Sequence, residues 1–227
     1  MIYYQVDAFP LDKTILGKYD MPHTIRIESK NFLNYISERN RNIKMYFENK
    51  NTLYEKMPDN LQGKLLKRKN VIDFMDFSPF CLSLLAVVSN KMKQILEKLN
   101  VSKDEYVLKR ISIKGFYEDF YLLFVPIIQN TEFVYSKCIF IDRSNRINRK
   151  IYNNREEYLS DPQFYDYSAF KITLNVKYSD YDLLWPQGCG CLFSERIVNA
   201  MREENIVGYA ITKEGGYFYQ ELYFASE

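Results

Sequence analysis

Apolar residues recur along this chain at two spacings, every second position and every third to fourth, and stretches of each kind alternate. The longer spacing is clearest in two places. Met92, Ile95, Leu96 and Leu99 form an i, i+3, i+4, i+7 stripe directly after Val88-Ser89-Asn90-Lys91, which predicts an amphipathic helix over residues 89–100. Ile197, Ala200 and Met201 repeat the first three positions after Phe193-Ser194-Glu195-Arg196, with Glu204 at the fourth. That predicts a second helix over residues 194–204. In each copy a serine stands where its hydroxyl can accept one of the backbone N–H groups left free at a helix start. Neither copy has Glu or Gln three residues on, so no capping box is expected.

Alternation and short apolar runs predict strands at residues 2–9, 24–27, 42–47, 71–77, 81–88, 107–113, 120–128 and 132–141. Further strands are predicted at 169–176, 183–185, 189–193, 207–212 and 217–224, and shorter helices at 31–38 and 154–159. The run 120–128 is apolar almost throughout, which predicts a strand covered on both faces, with Pro126 marking an edge or bulge. Residues 48–70 are polar and basic, and Pro58, Asp59, Asn60 and Gly63 break any regular element there. Gly115 and Asn130 fall at hairpin turns, and Gly215-Gly216 joins the last two strands as a hairpin. Most connections are too short for a crossover, so antiparallel pairing should dominate. The fold class is α+β: mostly antiparallel sheet, a few packed helices, and a strand–helix–strand unit used twice. The change of texture near residue 70 separates an N-terminal part, 1–70, from a more regular α+β domain, 71–227, unless the whole is one domain.

Composition adds a charge asymmetry. The 227 residues carry a net charge of only +2. Residues 1–150 hold 25 Lys and Arg against 17 Asp and Glu, whereas residues 151–227 hold 6 against 12. Such a split can mark an interaction surface. Twenty Tyr and sixteen Phe suit strands, and also a binding face. The first residues lack a basic segment followed by an apolar one, and the longest apolar run, 80–88, is far short of the ~20 residues that span a bilayer. No membrane association is expected, and the expected location is cytoplasmic. The four cysteines read as free, small hydrophobes.

Candidate chemistry is sparse. Cys189-Gly190-Cys191 offers two thiols that alternation on a strand would put on one face, but a structural zinc site needs a second pair, and the chain has one histidine, His23. His23 follows Pro22 in a loop, with no Gly-x-Ser-x-Gly or similar motif to give it a nucleophile. No glycine-rich phosphate loop is present. No catalytic residue, metal or cofactor is therefore expected. Two basic clusters, Lys64, Lys67, Arg68 and Lys69, and Arg143, Arg146, Arg149 and Lys150, could track phosphates, which makes nucleic-acid binding through 64–69 and 143–150 the alternative reading. The preferred contact face is acidic and aromatic: Tyr165, Asp166, Tyr167, Tyr178, Asp180, Tyr181, Asp182 and Trp185 combine hot-spot side chains with a charge that would steer a basic partner.

Three features carry a resemblance. They are the apolar-Ser-Asn/Glu-Lys/Arg helix starts at Val88-Ser89-Asn90-Lys91 and Phe193-Ser194-Glu195-Arg196, the strand Phe120-Tyr121-Leu122-Leu123 between them, and the strand start Ile206-Val207-Gly208-Tyr209 after the second helix. Through these, residues 71–211 resemble a bacterial immunity-protein family whose members accompany polymorphic or contact-dependent toxins. The first copy has Asn90 where that family usually has Glu, and residues 1–70 carry none of its features. The resemblance implies a non-enzymatic protein that binds and neutralises a cognate toxin protein by occlusion, with the matched residues serving as framework.

Overall fold

The computed structural model describes residues 1–8, 23–41, 56–67, 69–81, 83–214 and 219–225. The strand expected at 42–47 and the turn at Gly215-Gly216 lie outside the described residues. Six strands close a barrel: β2 (Thr24–Ile27), β3 (Leu61–Leu66), β4 (Phe74–Ser78), β5 (Leu84–Ser89), β6 (Val107–Ile113) and β7 (Phe120–Phe124), in the order β2-β3-β6-β7-β5-β4. Closure satisfies the strand edges, because each has a neighbour. The interior is filled by Ile25, Ile27, Leu61, Leu65, Met75, Phe77, Val87, Ile111, Leu122 and Phe124. Helix α1 (Lys30–Arg41) adds Phe32, Tyr35 and Ile36 to that cluster. The other face of β5 and β7 is covered too: Ala86, Val88 and Leu123 belong to a second core. That is why 120–124 reads as continuously apolar.

β3 corrects one expectation. Residues 48–70 were expected to lack regular structure, yet Leu61, Gly63 and Leu65 alternate inward against exposed Gln62 and Lys64. Gly63 is required by packing: a Cβ there would lie 2.5 Å from Ile25 Cγ2. Strands from 1–70 also share sheets with 71–227, since β2 pairs with β4 and β3 with β6.

A five-stranded sheet has the order β14-β1-β13-β12-β8, built from β14 (Ala210–Ile211), β1 (Tyr3–Asp7), β13 (Leu192–Ser194), β12 (Leu183–Pro186) and β8 (Ile127–Ile128). A four-stranded sheet has the order β10-β9-β11-β15, from β10 (Arg149–Lys150), β9 (Ile139–Asp142), β11 (Tyr167–Leu174) and β15 (Glu221–Phe224). Antiparallel pairs predominate. Three further expectations are corrected here. The run 120–128 is two strands in two sheets, because Pro126 lacks the N–H to continue the first ladder. Residues 132–141 begin with two 3-10 turns, Asn130–Glu132 and Tyr135–Lys137, before β9; Asn130 opens a turn of helix, not a hairpin. The last two strands do not form a hairpin: β14 pairs with β1, and β15 runs parallel to β11.

The twice-used unit extends further than its helix. Helix α2 (Asn90–Lys98) joins β5 to β6, and α4 (Glu195–Glu203) joins β13 to β14; the short helix α3 is Arg155–Ser160. Around α2 the strands run β4-β5-β7-β6, and around α4 they run β12-β13-β1-β14, every neighbouring pair antiparallel. In both, the helix connects two strands that flank a third. In the second unit that third strand is supplied by the start of the chain. Both helices end on an asparagine in the left-handed region, Asn100 and Asn205, each at φ +52°. Both are closed by a backbone bond one residue later, Val101 N–H to Leu96 O and Ile206 N–H to Met201 O. The helices bury Met92, Ile95 and Leu96, and Ile197, Val198 and Met201, in one shared core.

Candidate functional site

Each unit starts on an aspartate. Ser89 donates its backbone N–H to Asp73 O at 2.9 Å and its hydroxyl to Asp73 Oδ1 at 2.8 Å. Ser194 donates its N–H to Asp182 O at 2.8 Å and its hydroxyl to Asp182 Oδ1 at 2.5 Å. The serines then part company. Ser89 also accepts from Met92 N–H at 3.5 Å, a long helix cap, whereas Ser194 makes no side-chain cap bond. The expectation of two serine caps holds for the first helix only; Ser194 makes the matching donation to its aspartate without the cap bond.

The loops that follow the helices cross between units. After α4, Val207 N–H donates to Asp73 Oδ2 at 3.2 Å and Val207 O accepts from Phe74 N–H at 3.0 Å. Gly208, at φ +107°, lies flush against β4: a Cβ there would be 2.1 Å from Phe74 O and 2.5 Å from Ile72 Cδ1. After α2 the matching contact is made by a side chain. Glu105 Oε2 accepts from Asp182 N–H at 2.6 Å and Leu183 N–H at 2.9 Å. A carboxylate here does the work of the Val207 carbonyl, which sets the loop back by a side-chain length. Arg196 closes the second junction, with Nε at 2.6 Å from Asp182 Oδ1, a second bond to Oδ2, and a third guanidinium bond to Leu99 O at 2.9 Å. Glu105 is 4% and Asp182 1% exposed. Burial raises the Glu105 carboxyl above the usual range, against the pull of its two N–H donors.

The set-back loop leaves a cleft of about 330 Å³. Asp104, Glu105, Gln129, Glu132, Tyr178 and Tyr181 line it, and its lining holds no Lys or Arg. Tyr178 and Tyr181 meet edge to face, with ring centroids 5.3 Å apart at 81°. Lys177 pairs with Glu132 at 2.7 Å. Burial, then the Glu132 charge, push the Tyr178 phenol up, so it stays a neutral donor. The tyrosine segment is fixed from behind, where the Tyr3 hydroxyl donates to Tyr181 O at 2.5 Å. The cleft is preformed, acidic and aromatic, a chemistry suited to an ammonium or guanidinium group.

The structure divides the eight predicted contact residues into three groups. Tyr178, Asp180 and Tyr181 lie at or beside this cleft, with Asp180 exposed. Tyr165 and Asp166 are exposed on a turn before β11. Tyr167, Asp182 and Trp185 are buried, which corrects their assignment as surface contacts. Tyr167 opens β11 and packs with Phe140, Ile172 and Leu174 in a core of the four-stranded sheet, Asp182 anchors the ion pair, and Trp185 packs in the shared core with Nε1–H donated to Cys189 O. Sequence reading missed Asp104, Glu105 and Glu132, which lie in ordinary-looking polar turns far from Tyr178 in the chain.

The remaining candidates fall apart in space. Cys189 and Cys191 sit in a turn, not on a strand, and pack against different cores. Burial raises both thiols, which keeps them un-ionised. Among the described residues no group of three or more His, Cys, Asp and Glu could hold a metal, and no helix is long and apolar enough to cross a membrane. His23 is buried just before β2. Of the basic clusters, Lys64 lies on the outer face of the barrel and Lys67 and Lys69 follow it, while 143–150 belongs to the four-stranded sheet; Arg68 is outside the described residues. No protein-family model matches the chain, and no curated protein matches it.

Proposed function

We propose that this is a non-catalytic, cytoplasmic binding protein that neutralises a cognate toxin by receiving a basic part of it in the acidic cleft beside Tyr178 and Tyr181. The observation that carries the reading is the cleft itself, three carboxylates and two tyrosines with no base in the lining, fixed by Glu105 and Tyr3. Preorganisation lowers the ordering cost of association, and the excess of acidic over basic side chains in the lining speeds encounter with a cationic partner. Nearby acids are occupied in structural roles: both oxygens of Asp182 and one of Glu105 hold framework donors. The toxin assignment rests on the resemblance of residues 71–211 to immunity proteins.

The test is co-expression with the product of the adjacent toxin gene. The proposal predicts growth rescue and a co-purifying complex, both weakened by Asp104→Lys with Asp180→Lys. Absence of rescue and of a complex with folded protein would refute it. Asp182 is unsuitable for that test, because it is internal.

A further inference from the structure

A second surface differs in every respect from the cleft. On the outer face of the four-stranded sheet, a bulge in β11 shifts the register from Ala169↔Phe140 to Lys171↔Ile139. The extra residue, Phe170, is thereby turned outward beside Lys171 instead of alternating inward. Its ring is covered by two guanidiniums, with Arg149 Cζ at 5.7 Å and Arg146 Cζ at 6.0 Å from the centroid. On the next strand Tyr223, 45% exposed, carries Lys171 Nζ at 4.3 Å from its ring centroid. Lys171, Lys137, Ile151 and Tyr223 border a hollow of about 360 Å³ on this face.

Arg149 is held in β10, paired with Ile141, and Arg146 on the loop before it. Asp142 Oδ1 accepts from the Ser144 N–H at 2.7 Å and hydroxyl at 2.6 Å, and Oδ2 accepts from Asn145 and Asn148 amides at 3.2 and 3.4 Å. Those bonds hold its carboxyl below the usual range. Tyr223 lies opposite Thr173, three residues along from Phe170, or about 10 Å at the rise of a strand. Aromatic rings on neighbouring strands of an open sheet, interleaved with four cations, match the stacking platforms and phosphate-tracking charges used for single strands.

We propose that this face binds single-stranded nucleic acid, with bases stacked on Tyr223 and on the guanidiniums that cover Phe170, and phosphates met by Lys137, Arg146, Arg149 and Lys171. The site is independent of the cleft, and its failure would leave the toxin-binding proposal standing. The probe is fluorescein-labelled oligo(dT) and oligo(U) of about 20 nucleotides, followed by anisotropy with the intact protein at salt from roughly 50 to 200 mM. Four phosphate contacts predict a log–log salt slope of about −3. Tyr223→Ala should weaken binding about tenfold, while Tyr223→Phe keeps it and Arg149→Glu with Lys171→Glu abolishes it, all with unchanged circular dichroism. No binding at the lowest salt would overturn the proposal. So would equal affinity for duplex DNA, heparin or poly-glutamate, or indifference to Tyr223→Ala.

Discussion

The two inter-unit junctions are built on one plan and end differently. At the first, Asp73 is held by neutral donors and the incoming loop closes on β4 through its own backbone, with Gly208 against Phe74 O. At the second, Asp182 is held by a guanidinium, and the incoming loop stands off on the Glu105 side chain. The closed junction is pure framework. The open one exposes a cleft and surrounds it with carboxylates and tyrosines. Repetition supplies the scaffold, and the departure from it leaves the cleft. The ion pair accompanies the opening: a buried aspartate with less backbone packed around it needs a stronger partner than a hydroxyl.

Breaking each anchor measures this difference. Asp182→Ala strands Arg196 and Ser194 donors and should cost about 3 kcal/mol, at the low end for buried pairs because Arg196 is half exposed. That corresponds to a fall in melting temperature of roughly 6–12 °C. Asp73→Ala should cost less, about 2 kcal/mol, since it loses bonds from uncharged donors and strands no guanidinium; equal losses in denaturant titrations would erase the contrast. Gly208→Ala should cost about 2 kcal/mol, because a methyl group meets the Phe74 carbonyl at a positive φ, and chemical denaturation will show it. Ser89→Ala should cost about 1 kcal/mol through the lost cap, readable in the same assay.

The smallest effect is a stabilisation that is lost only in acid, and it lies away from both junctions. Asp161 accepts from Lys150 Nζ and the Tyr152 hydroxyl, each at 2.7 Å, which lowers its carboxyl from 3.8 to about 2. A folded-state value below the unfolded one stabilises fully above the unfolded value and is lost as pH falls toward the folded one. The difference in stability between wild type and Asp161→Asn should therefore shrink as pH drops from 3.8 toward about 2. A constant difference across that window would show that the carboxylate is not what ties this region together.

Much of the framework was legible in the sequence. The stripes at Met92 and Ile197 predicted the two helices, and the repeated serines predicted a repeated unit, because side-chain periodicity is a local property. The strand in residues 61–66 was hidden by Gly63, which reads as a turn residue but is small so that Ile25 can approach. Only part of the site was legible. Tyr178, Asp180 and Tyr181 stood out by composition, but the same composition includes Asp182 and Trp185, whose burial depends on Arg196, Ser194 and Cys189. Asp104 and Glu105 join the tyrosines only through the exchange of loops between units, and Glu132 through the pairing of Phe133 with Leu174; no local pattern encodes either contact.

The central claim is that the open junction, and not its closed counterpart, receives a cationic partner. The direct measurement is the association rate with the co-expressed toxin, at low and high salt, for Asp104→Lys with Asp180→Lys and for Glu203→Lys with Glu204→Lys, exposed at the end of α4 where the loop to the closed junction begins. The account predicts that the first slows association about tenfold at low salt, with the gap narrowing as salt screens it, and that the second does not. Unchanged rates in the cleft variant, or equal slowing in both, would contradict it.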